Sequence, residues 1–125
     1  MGNMNQTVDY EIQRLQKSPI NWQNMEQRNL DAESLKLVLP VFIESSACYI
    51  SDLQQAWDDN DKEAVRSIAH KIKGCAANVG AEELSETAEL LNRGCRRGDL
   101  DNGAELIQRI KQLHKELQIY ISGLK

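Results

Sequence analysis

Apolar residues recur at three- and four-residue steps along most of this chain, and short polar turns separate one run from the next. That spacing lines one face of an α-helix, and no alternating strand pattern competes with it. The longest run follows Asp31, a side chain suited to cap a helix, and continues to about Asp58. Its stripe is Leu35, Val38/Leu39, Phe42, Tyr49/Ile50, Leu53 and Trp57, and Pro40 inside it is expected to bend or split the helix. After the turn Asp59-Asn60-Asp61, a second helix spans about Lys62 to Val79 and ends at Gly80. A third, Glu82 to about Arg97, carries Leu84, Thr87/Ala88, Leu91 and Cys95 and stops at Gly98. Asp99 and Asp101 read as caps for a last helix bearing Leu106, Ile110, Leu113, Leu117, Tyr120/Ile121 and Leu124. Turns this short force neighbouring long helices to run antiparallel. The expected fold is therefore all-α: an antiparallel up-down-up-down four-helix bundle with short N-terminal helices.

Those short helices are a weakly amphipathic stretch, Val8 to Lys17, closed by Ser18-Pro19, and a segment capped by Asn21 with Trp22, Met25 and Leu30 as its apolar contacts. Residues 1–20 form an N-terminal extension in this reading and residues 21–125 the bundle. A chain of 125 residues can bury the core of one such domain without staples. Its net charge of −4 argues against a nucleic-acid partner, which would call for a basic stripe. Arg93, Arg96 and Arg97 cluster at a helix end and read as complements to its dipole. No apolar run near 18 residues and no signal-peptide pattern is visible, so a soluble chain without membrane contact is expected. Cys48, Cys75 and Cys95 fall on or near apolar stripes and read as small core residues. With only His70 and His114 beside them, nothing has the ligand spacing of a metal site.

The second long helix carries the chemistry. Val65, Ile68, Ala69, Ile72, Cys75, Ala76 and Val79 define its apolar stripe, and His70 lies roughly 160° away from it at about 100° per residue. The imidazole therefore faces out, with Arg66, Ser67, Lys73 and Gly74 as neighbours one turn away. Neutral imidazole is a nucleophile near physiological pH. Lys73 can place an ammonium beside a phosphoryl group, and Arg66 and Lys71 keep the region positive. Gly74 removes a side chain where a partner would approach, at a cost of about 1 kcal/mol of helix propensity. No glycine-rich phosphate loop is present to bind ATP, no serine or cysteine has a nucleophile-elbow context, and a convex bundle offers no deep substrate pocket. Whatever reacts with His70 would be brought by another protein.

His70, Lys73, Gly74, the small run Cys75-Ala76-Ala77 and then Gly80-Ala81 resemble the core motif of histidine-containing phosphotransfer (HPt) domains. The likeness extends from about Asn21 to Leu124, with "EAVRSIAH" before the motif and "EELSETAELL" after it. The resemblance implies a phosphorelay intermediate rather than a kinase. His70 would accept a phosphoryl group from a receiver-domain aspartate and pass it to a response-regulator aspartate. The chain would need no cofactor of its own, because the receiver brings the acidic pocket and Mg²⁺. Some members place a glutamine on the adjacent helix to hydrogen-bond the imidazole; the matching position here is Asn92, one methylene shorter. Arg66, Lys71, Ala77 and Asn92 are the expected supporting residues, and receiver domains or a hybrid sensor kinase the expected partners of a monomer. Both a free cytoplasmic carrier and the C-terminal domain of an inner-membrane sensor kinase fit that role. The competing readings are a helical docking module without chemistry and, with less support, a metal or general-base enzyme.

Overall fold

The computed structural model describes residues 18–124, so the expected helix over residues 8–17 lies outside the described residues. Five helices and no strand occur among them: α1 (Trp22–Gln27), α2 (Ala32–Asp58), α3 (Lys62–Asn78), α4 (Glu82–Arg97) and α5 (Gly103–Ser122). Three starts are fixed by side-chain caps that satisfy otherwise unpaired backbone donors. Asn21 Oδ1 accepts from the Asn24 amide at 2.9 Å, Asp31 Oδ1 from Ser34 at 2.7 Å and Asp61 Oδ1 from Ala64 at 3.1 Å. Gly80 and Gly98 end α3 and α4 with φ of +77° and +72°, a region open to glycine without steric cost.

Two expected features differ. Asn102 precedes α5 without a side-chain cap, while Asp99 Oδ1 accepts from the Asp101 amide within the loop at 3.4 Å. Of the bend or split expected at Pro40, the split does not occur: α2 is one continuous helix of 27 residues. The proline sits on the exposed side of the helix, away from the core.

Each long helix packs on two others: α3 on α2 and α4, and α5 on α4 and α2, closing a ring. Leu39, Leu53, Ile72, Leu84, Leu91, Ile110 and Leu117 are fully buried inside it. Each contributes about 1.5–3 kcal/mol relative to an exposed side chain. At one end α1 forms a plug. Ile20 and Met25 are buried, the Asn21 amide donates to the Gly80 carbonyl at 2.8 Å, and Trp22 Nε1 donates to Tyr120 Oη at 2.7 Å.

The apolar faces are rotated slightly from the expected ones. In α2, Val38 is exposed, and Ser46 and Ala56 complete the inner line. In α5 the buried line is Ile107, Ile110, Leu113, His114 and Leu117, with Leu106 only partly covered. Cys48 is exposed rather than a core residue, and Cys75 and Cys95 are half-buried; all three are free thiols. By length and composition α2 could cross a bilayer, contrary to the sequence expectation; in this fold its Leu35, Leu39, Phe42, Ile50 and Leu53 wall the core.

Candidate functional site

Helix α3 turns Val65, Ala69, Ile72 and Ala76 into the core, which fixes its outward face by the 3.6-residue period. His70 stands on that face, exposed to solvent. It lies at a cavity of about 300 Å³ between α3 and α4, lined by Arg66, Ser67, His70, Lys71, Asn92 and Arg96. Four of the expected residues, His70, Arg66, Lys71 and Asn92, thus meet at one place. Three of the six lining side chains are cationic, in a chain whose net charge is −4. Among the described residues neither Arg66 nor Arg96 enters an ion pair. The Lys71 ammonium lies 6.0 Å from the Tyr49 ring centroid, at the outer reach of a cation–π contact.

Lys73 follows one turn after His70, and its ammonium is engaged across the helix seam by Glu89 Oε2 at 2.8 Å. Glu89 also accepts from Asn92 Nδ2 at 3.3 Å and from Arg93 Nε at 3.2 Å. The Lys73 and then the Asn92 hydrogen bonds hold the Glu89 carboxyl down to about 2. It is therefore an anion at any physiological pH. Asn92 is buried, at 1% exposure. Because a carboxylate only accepts, its NH₂ must face Glu89, which turns Oδ1 away; that oxygen has no partner among the described residues. No hydrogen bond joins it to His70 in this arrangement.

Gly74 is exposed, and a Cβ built on it meets nothing within 4 Å. The surface beside His70 is bare. Ala77 is exposed but lies outside the cavity; its carbonyl accepts from Arg28 Nη1 at 3.1 Å and ties α1 to the end of α3.

Two contributors escape a reading by spacing along one helix. Arg96 and Arg97 stand in the last turn of α4 as expected, and Arg96 also lines the cavity, whereas Arg93 pairs with Glu89. Glu89 gave a visible signal through its i,i+4 pair with Arg93, but its bond to Lys73 crosses between helices. His114 is buried. Its Nε2 lies 2.8 Å from Ser46 Oγ and 3.3 Å from the Ile43 carbonyl. It borders an open depression of about 550 Å³ between α2 and α5, with Lys111 and Asp58. That nitrogen is committed to holding two helices together. Among the described residues, no three His, Cys, Asp or Glu side chains gather in a way that could hold a metal ion.

The Hpt domain family matches residues 37–120, which include all of α3 and α4. Phosphorelay protein LuxU from Vibrio vulnificus, strains YJ016 and CMCP6, is 27% identical over 94 residues, covering 74% of this chain and 82% of LuxU. The crystal structure of histidine-containing phosphotransfer protein B (HptB) from Pseudomonas aeruginosa PAO1 matches the fold with a TM-score of 0.75 at 24% identity, over 85% of this chain and 93% of that one.

Proposed function

The chain belongs to the Hpt domain family, and from that premise we propose that His70 is its phosphoacceptor, taking a phosphoryl group from a receiver-domain aspartate and returning it to the aspartate of a response regulator. Hpt domains are phosphocarriers in phosphorelays, not kinases, and their partners are receiver domains and kinases. The observation that carries the assignment is the setting of His70: exposed, at a cationic cavity, beside a glycine with open space around it.

In the step proposed, an unprotonated imidazole nitrogen attacks phosphorus. The N–P bond forms as the O–P bond of the acyl phosphate breaks, and the electron pair returns to the aspartate carboxylate. Arg66, Lys71 and Arg96 face the charge that develops on the phosphoryl oxygens, and Lys73 stands one turn away. The receiver supplies Mg²⁺ and the acidic pocket; this chain supplies the nucleophile and has no ATP site or autokinase activity in this reading. The connections of three to five residues between long helices favour the up-down-up-down antiparallel arrangement. The bundle acts as a cytoplasmic monomer that meets its receiver on the α3 face, without membrane contact of its own. An acid-labile, base-stable phosphate on the intact protein, lost in His70→Gln, tests the assignment; a docking module without chemistry would carry no such phosphate.

A further inference from the structure

Glu89 has no role in the step described above, yet it is the most connected charged side chain near His70. Its side chain is only 17% exposed, and both carboxylate oxygens are engaged, one by Lys73 and Asn92, the other by Arg93. Asn92 lines the His70 cavity, so its bond to Glu89 ties this carboxylate to the site, and Lys73 ties it to the helix that carries His70. The cation bonded to Glu89 is Lys73, which follows His70 by one turn of the same helix, a spacing at which side chains share a face.

We infer that Glu89 is a positioning residue for phosphotransfer: it holds the Lys73 ammonium at the α3–α4 seam while His70 is unmodified, and competes with the phosphohistidine for it afterwards. This rests on the reading of His70 as the acceptor. An ammonium has three donors, so it can turn toward the phosphoryl oxygens without a change of backbone. Glu89 is not stranded when Lys73 turns, because Arg93 Nε and Asn92 Nδ2 remain on it. The carboxylate is ionised at any working pH, so its competitor for Lys73 is the phosphoryl group and not a proton. Glu89 thereby sets how tightly His70 keeps its phosphate, which a carrier between two aspartates must not do too well.

The test compares the wild-type chain with Glu89→Gln, Lys73→Ala and the double variant. Each is phosphorylated with phosphoramidate as a small chemical donor, and hydrolysis of the phosphohistidine and its equilibrium with one receiver are then followed. Glu89→Gln is expected to lengthen the lifetime and shift the equilibrium toward phosphohistidine by about fivefold, the scale of one partly exposed ion pair. The double variant is expected to match Lys73→Ala, because residues that act through one another are not additive. The inference is overturned if wild-type His70 is phosphorylated normally but Glu89→Gln is unchanged or drops to the Lys73→Ala level. Additive effects in the double variant also overturn it. No phosphate on wild-type His70 under these conditions removes the acceptor assignment itself, and the inference with it.

Discussion

Trp57 lies against Gly103: a Cβ placed on that glycine would stand 2.5 Å from the ring atoms Cη2 and Cζ3. The close approach holds the end of α2 against the start of α5, at the end of the molecule where α2 turns into α3. Gly103→Ala is expected to destabilise the domain by about 1–3 kcal/mol, the range for overpacking, less whatever helix propensity returns. Chemical denaturation measures it. An unchanged or higher midpoint would mean that the indole swings aside at no cost.

Gly74→Leu carries the opposite expectation. No atom blocks a side chain there, and leucine exceeds glycine by nearly 1 kcal/mol in helix propensity. The unfolding midpoint should stay or rise, while phosphotransfer and receiver binding fall sharply, because reacting atoms must come within about 3–3.5 Å. Calorimetry and receiver binding on the same sample check both halves. Early melting would contradict the open position of Gly74.

Lys73→Ala should slow transfer and shorten the life of the phosphohistidine without unfolding the domain. The Lys73–Glu89 pair is partly exposed, and such pairs are worth little in stability, about 0–1 kcal/mol. Transfer kinetics at low and high salt report the effect; an unchanged rate at both would leave Lys73 as a partner of Glu89 without a part in transfer.

His114 predicts a dependence of stability on pH. Burial, the largest influence, pushes its pKa below the ordinary 6.5, partly opposed by the Ile43 carbonyl. The folded state therefore binds fewer protons than the unfolded one below pH 6.5, and stability rises with pH. The full contribution is present above about pH 6.5 and is lost as the pH falls toward the lowered value. Denaturation midpoints between pH 5 and 8 should show this slope in the wild-type chain and a weaker one in His114→Gln. Equal slopes would place the titration elsewhere.

The legible parts of this molecule are local ones. Asp31, Asp61, Gly80 and Gly98 mark helix ends because capping and positive φ are decided within a few residues. The outward direction of His70 followed from the period of its own helix. Asn92 could have been placed inside: it lies four residues after Ala88 and eight after Leu84, on the same buried line. A polar side chain on that line gives no sign of its own burial, and the Glu89 partner that satisfies its NH₂ gives none either. His114 is parallel, four residues after Ile110 and covered by Ser46 from α2. Arg96 and Glu89 join the site only through the packing of α4 on α3. Such cross-helix pairs depend on the rotation of two elements, which spacing along either one does not determine.

The most direct measurement is transfer of a radiolabelled phosphoryl group from a phosphorylated receiver domain with Mg²⁺ to the wild-type chain and to His70→Gln in parallel. His70 points away from the core, so the variant should keep its fold, with stability within about 0.5 kcal/mol of wild type. An acid-labile, base-stable label is expected on the wild-type chain and none on the folded variant. Label on His70→Gln at the wild-type rate would contradict the assignment of His70 as the phosphoacceptor.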